Sequence, residues 1–300
     1  GMFPVAIKAA KLLKIDAELV PLWQDMLDKL APYPTSADPN GMGVLQLAAE
    51  PVYAIGIGDD KRPGSDPDPR MMMVNIFDLL NTETKAARPD EWQLAMNTLS
   101  AMNLGRRVTN VKNEDEVNRF FGTMARMGSA EWVKKCFDAM VRHWKNKHDP
   151  WPSFPNRIRE YNPEGGFALD WQHDGTFSEG LCQALLQSGA ASPGGTPVIR
   201  VFPAWPKDMD ASFSLRTKGD FLVTSLMKSG QVDFIEVTSQ RGGPCTLRNY
   251  WGKQSVDLYR NQTKRETMSD DLLTFATKTG ENIILVKSGT KPASLRVNLP

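Results

Sequence analysis

The spacing of apolar residues changes once along this 300-residue chain, from about 3.6 residues before Gly189 to 2 after it. One layer of regular structure cannot serve both repeats. The reading is therefore an α+β multidomain chain, helical over residues 1–192 and all β over 193–300, each part long enough for its own core.

In the helical part, Leu19, Leu22, Trp23, Met26, Leu27 and Leu30 recur at three- and four-residue steps until Pro32 and Pro34 stop them. Pro89 suits the first turn of a segment carrying Trp92, Met96, Leu99 and Met102. Asn113 with Glu116 resembles a capping box before Val117, Phe120, Phe121 and Met124, and Gly128 fits the C-cap. Ser129 opens a helix presenting Trp132, Val133, Cys136, Phe137, Met140, Val141 and Trp144, which Pro150 ends. Met71, Met72 and Met73 read as gap-filling core residues.

In the β part, strands are predicted at Val198–Phe202, Phe213–Thr217, Phe221–Met227, Val232–Thr238, Thr246–Trp251, Val256–Tyr259, Leu272–Thr277, Ile283–Lys287 and Leu295–Leu299. Ser229-Gly230 and Thr279-Gly280 are expected hairpin turns. Short strands at this spacing favour an antiparallel sandwich.

The 36 basic residues nearly balance the 35 acidic ones, which argues against a nonspecific nucleic-acid coat. Apolar runs fall short of a membrane span, and Gly1-Met2-Phe3-Pro4 leads into amphipathic sequence, so the expectation is a soluble chain without a signal peptide and with no membrane partner. Cys136, Cys182 and Cys245 are far apart and never form a Cys-x-x-Cys pair, so no metal and no cofactor are expected.

The segment richest in chemistry is Asp170-Trp171-Gln172-His173-Asp174-Gly175-Thr176-Phe177-Ser178-Glu179-Gly180. Thr176 and Glu179 have capping-box spacing, followed by Leu181, Cys182, Leu185 and Leu186 up to Gly189. Asp174 is thus expected in a turn just outside a helix N-terminus, where the unpaired amides favour a carboxylate and suit a base more than a proton donor. A purely turn-forming Asp-Gly pair competes with that reading. His173 and Gln172 offer hydrogen bonds to a substrate, and Trp151 and Trp171 offer planes for the C–H faces of a sugar, with packing as the alternative for each.

The run DWQHDGTFSEGLCQALLQS (residues 170–188), followed by IRVFPAWPKDMDASFSLRTKGDFLV (residues 199–223), resembles glycoside hydrolase family 95 where its catalytic barrel passes into a C-terminal β domain. The matching residues are Gln172, Asp174, Gly175, Phe177, Leu185, Leu186, Gln187, Ser188, Pro203, Ala204, Pro206 and Gly219. Residues 9–35 resemble the helix and Pro-Tyr-Pro loop before that family's substrate-facing segment, although Glu50 to Asp60 stands where its histidine-rich motif belongs. The resemblance implies the C-terminal part of an (α/α)6 barrel followed by a β-sandwich. It also implies inverting hydrolysis of an oligosaccharide or polysaccharide, Asp174 beside the attacking water, and a periplasmic or extracellular location. The barrel's six hairpins exceed what fits before Gly189, so the expected partner is a missing N-terminal barrel half or a second copy that covers the open helices. The rival readings are a noncatalytic carbohydrate-binding or assembly module and, behind it, a polysaccharide lyase.

Overall fold

The computed structural model describes residues 2–38, 41–42, 50–54, 56–57, 71–75, 77–101, 121–146, 160–161, 167–168 and 171–292. For 41–42, 56–57, 72, 75, 101, 139–146, 160–161, 167–168 and 171–176 it describes the backbone alone. The expected capping box at Asn113, the strand at Leu295–Leu299 and Trp151 lie outside the described residues. The fold is α+β, and the chain divides into two compact units.

The first unit comprises Gly1–Thr123, Lys135–Phe177 and Ala190–Gly195. It opens with helices α1 (Met2–Leu13) and α2 (Leu19–Asp28). Lys14 takes the left-handed φ of 57° after α1, and the Ile15 amide reaches back to the Ala10 carbonyl at 3.2 Å, a Schellman-type stop made without glycine. Helix α1 buries Ile7 and Ala10, whereas α2 buries none of its residues. The α2 helix is where the apolar spacing predicts it, yet Leu22, Met26 and Leu30 of its stripe are exposed.

Two-residue strands β1 (Gly41–Met42) and β2 (Gly56–Ile57) pair, and Thr35 bridges Tyr53 beside them. Short helices α3 (Met72–Asn75) and α4 (Thr84–Ala87) precede α5 (Pro89–Ala101). Met71 and Met73 are buried, as expected of core methionines. Pro89 occupies the first position of α5, where its missing N–H costs nothing, and Trp92, Ala95 and Leu99 are buried along the helix.

Helix α6 (Ala130–Asn146) and helix α7 (Trp171–Leu185) run through the borders of the units, and strands β3 (Glu160–Tyr161) and β4 (Phe167–Ala168) pair between them in sequence. Val133 and Cys136 of α6 are buried, while Trp132 is only half-buried.

The second unit comprises Met124–Lys134, Ser178–Gly189 and Thr196–Pro300. Gly128 caps the helical residues 121–126 with φ 71°, and the Ser129 amide donates to the Met124 carbonyl at 3.0 Å. Strands β5 (Leu186–Gln187) and β6 (Arg200–Val201) pair antiparallel. Then follow β7 (Ala211–Thr217), β8 (Phe221–Lys228), β9 (Gln231–Ser239), β10 (Gly243–Arg248), β11 (Val256–Arg260), β12 (Thr263–Met268), β13 (Leu272–Thr277) and β14 (Asn282–Lys287). Six of these form one antiparallel sheet in the order β12-β11-β14-β9-β8-β7, and β10 pairs with β13 in another.

Strand alternation is clearest on β8, where Phe221, Val223, Ser225 and Met227 are buried and the residues between them are not. The β8–β9 turn uses Ser229 and Gly230 with φ 49° and 74°, the positive pair a tight hairpin demands. Thr279-Gly280 behaves differently from expectation. Gly280 has φ 74°, but β13 and β14 lie in different sheets, so the turn is a corner. Strand β10 also starts earlier than its apolar run suggests, because Pro244 is tolerated on a strand that pairs with β13 along one edge and is met on the other farther along, where Ile199 bridges Leu247. It ends at Arg248 because the Asn249 side chain accepts from the Trp251 amide at 3.0 Å and closes a turn.

Candidate functional site

The residues singled out by sequence, Trp171, Gln172, His173 and Asp174, are the first four of α7. This corrects the expected turn. The helix begins at Trp171, ahead of the Thr176 cap, and Asp174 lies inside it. It also ends at Leu185, with Leu186 and Gln187 already in β5, so Gly189 does not terminate it.

Packing explains why local grammar fails here. Phe177 stacks on Phe121 at 5.0 Å and on Phe137 at 6.5 Å within the first unit. Within the second, the Glu179 carboxylate is taken by Arg126 at 2.7 Å, which withdraws it from any capping box. A glycine inside a helix costs ~1 kcal/mol, and stacked aromatic pairs at such separations return ~0.5–1.5 kcal/mol each beyond their burial. The helix runs through Gly175. Residue 174 still belongs to the N-terminal end, whose unpaired amides favour a negative group.

The other end of α7 is fastened to the β segment that follows. The Phe202 amide donates to the Leu185 carbonyl at 2.6 Å and the Ala204 amide to the Ala184 carbonyl at 3.3 Å. Leu186 pairs with Val201 and Gln187 with Arg200. The Ser188 hydroxyl accepts from the Lys218 amide at 3.0 Å. Gln187, buried, donates to the carbonyls of Ala125 at 2.6 Å and Gln183 at 2.9 Å and accepts from Arg200 at 3.3 Å.

A second cluster in the first unit was not singled out from sequence. Tyr33 and Tyr53 meet edge to face at 6.1 Å, and the Tyr53 hydroxyl points to the Glu91 backbone carbonyl at 3.4 Å. The Arg88 guanidinium pairs with the Glu91 carboxylate at 2.9 Å and also donates to the Leu79 carbonyl. Burial, then the Glu91 charge, push both phenols above their ordinary range, against a smaller pull from Arg88. They remain hydrogen-bond donors at neutral pH. With Glu91 committed to Arg88 at the start of α5, this arrangement anchors a helix and holds no acid–base pair poised for reaction. Pro32 and Pro34 around Tyr33, and Pro51 near Tyr53, are the only local signs of the two extended segments that meet here.

Burial pushes the Cys136 and Cys245 thiols up to about 12, which removes them as nucleophiles. Among the described residues no group of His, Cys, Asp and Glu could hold a metal ion, and no helix is long and apolar enough to cross a membrane.

No family model and no curated protein matches the chain. Among solved structures it is similar to a GH127 β-L-arabinofuranosidase from Geobacillus stearothermophilus T6, with 8% identity and a TM-score of 0.31. The match covers 89% of this chain and 48% of that one, so the chain spans about half the length of that enzyme.

Proposed function

We propose that this chain takes part in the inverting hydrolysis of glycosidic bonds in oligosaccharides or polysaccharides, as a family 95-like glycosidase or the C-terminal portion of one. Its helices would belong to an (α/α)6 barrel and its strands to a β-sandwich, with the enzyme acting in the periplasm or outside the cell. The observation that carries the reading is the joint at α7. The two stretches that resemble the family, residues 170–188 and 199–223, are separate in sequence and are tied together through Leu185–Phe202, Ala184–Ala204, Ser188–Lys218 and the β5–β6 pair.

In this reading Asp174 holds and deprotonates the attacking water. Its place at the N-terminal end of α7 suits a group that must stay ionised before the reaction. An inverting enzyme sets its carboxylic acid ~6.5–9.5 Å from the base to leave room for that water. His173 and Gln172 would bond sugar hydroxyls, and Trp171 and Trp151 would offer apolar planes to the ring.

The test follows the anomeric proton of a glycan by NMR while the protein acts on a panel of natural oligosaccharides. The first product should have inverted configuration, and Asp174→Asn should lower turnover by ~10²- to 10⁴-fold with the melting temperature unchanged. Retained turnover in the asparagine variant would remove Asp174 from the chemistry. Sugar binding without cleavage would instead identify a carbohydrate-binding module, and an unsaturated product would identify a lyase.

A further inference from the structure

Helix α1 has apolar residues on its covered side and again on its open side. Ile7 and Ala10 are buried, while Met2 and Leu12 are each 78% exposed and Val5 and Leu13 are exposed with them. Met2, Val5, Ala9 and Leu12 are three, four and three residues apart, the spacing of one continuous helical stripe. Leu22, Met26 and Leu30 extend the exposed apolar surface along α2 at four-residue steps. A helix apolar on both sides needs covering on both.

The charges say what covers it. From Met2 to Ile15 the only charged side chains are Lys8, Lys11 and Lys14, whereas from Asp16 to Asp28 they are Asp16, Glu18, Asp25 and Asp28. Little of this charge is consumed locally. Lys29 pairs with Asp25 and Lys8 donates to the Gly194 carbonyl, but Lys11, Lys14, Asp16 and Glu18 make no ion pair among the described residues. The hairpin therefore has one basic arm and one acidic arm beside an open apolar stripe. A two-fold axis would lay α1 of each copy on α2 of the other, matching basic arm to acidic arm twice around a shared apolar centre. An anionic membrane would attract α1 and repel α2, so a second copy fits better.

We propose that the α1–α2 hairpin docks on the same hairpin of a second copy of this chain, giving a four-helix interface. It would form whether or not the protein cleaves sugars.

Sedimentation equilibrium of the full chain tests this. The expected result is a concentration-dependent dimer that Leu12→Glu with Met26→Glu converts to monomer, with circular dichroism and melting temperature unchanged. Lys11→Glu with Lys14→Glu should raise the dimer Kd by ~10-fold or more, and adding Glu18→Lys with Asp28→Lys to that chain should restore it. A monomer at every concentration up to about 100 μM overturns the proposal, as does a dimer indifferent to these changes. Failure of the second charge pair to restore association overturns the two-fold pairing. A monomer that floats with phosphatidylserine vesicles would assign the face to a membrane.

Discussion

Lys264 on β12 puts its ammonium 2.7 Å from the Asp257 carboxylate on β11, and the two side chains differ widely in exposure, 47% for the lysine and 3% for the aspartate. The Thr267 hydroxyl at 2.8 Å, the Ser288 hydroxyl at 2.9 Å and the Gly289 amide at 3.1 Å complete the cage. Burial by itself pushes this carboxyl up, but the donors outweigh it and hold the group well below the usual carboxylate range. Its folded pKa is thus depressed, so the stabilisation is fully present above the unfolded value of ~3.9 and is lost as pH falls through that value toward the folded one. Asp257→Asn should cost about 2–3 kcal/mol at neutral pH. It should also flatten the fall in melting temperature between about pH 5 and 3. Parallel acid profiles for the two proteins would refute the cage as its source.

Gln187 should tolerate neither truncation nor charge. Gln187→Ala removes the buried side-chain bonds to the Ala125 and Gln183 carbonyls and to Arg200, leaving the Ala125 carbonyl with the Gly128 amide and Arg200 with the Gly189 carbonyl, and should lower stability by about 2–3 kcal/mol. Gln187→Glu supplies Arg200 with a counter-charge but cannot donate to the Ala125 and Gln183 carbonyls, so it should also destabilise. Urea denaturation of both variants decides the matter, and a Glu variant as stable as the native chain would show that the two donated bonds count for little.

The three free thiols should separate by accessibility. Cys136 and Cys245 are buried with their thiols raised, whereas Cys182 is exposed. A thiol reagent at mildly alkaline pH should modify Cys182 in the folded protein, slowly, because partial burial and then the Glu179 charge raise its pKa too. The other two should react only in denaturant. Mass spectrometry of the labelled peptides would read this out directly.

Two turn glycines should differ in the cost of an added methyl group. At Gly230 a Cβ would stand 2.9 Å from the Lys207 carbonyl oxygen, in addition to the strain of φ 74°. At Gly280, with the same φ, nothing lies within 4 Å. Gly280→Ala should cost only the left-handed penalty of ~1–2 kcal/mol. Gly230→Ala should cost more, because a backbone atom must shift. Equal losses of melting temperature would contradict this ordering.

How much was legible follows from what each residue faces. Strands β8 and β13 declare themselves because one face is buried and the other is not, and Phe221, Val223 and Met227 carry that difference into sequence. Strand β12 was missed because its residues TKRETM lie on a sheet edge with five of six side chains exposed, so no apolar alternation exists. Its hairpin also lacks glycine, with Asn261 and Gln262 at φ 47° and 67°. The apolar period locates α2, but period alone does not say whether Leu22 and Met26 are covered. At the candidate site, the Gln172-His173-Asp174 motif was visible while its helical setting was not, since the ring contacts of α7, Phe177 on Phe121 and Phe137, join residues far apart in sequence. The Tyr33–Tyr53 contact escaped for the same reason.

The position of β14 has a consequence for synthesis. Among the described residues this strand is the last of its sheet in sequence, yet it lies between β11 and β9 in the middle of it. As the chain leaves the ribosome, β7, β8 and β9 can zip into a meander and β11 and β12 into a hairpin, but neither group has a partner for its inner edge. The nascent chain thus carries two open edges facing a vacant slot, the kind of surface that recruits strands from other molecules. Ribosomal pausing between Asp271 and Asn282 prolongs that exposure, and a stop codon there would make it permanent. A product ending at that point would aggregate, not persist as a smaller stable domain.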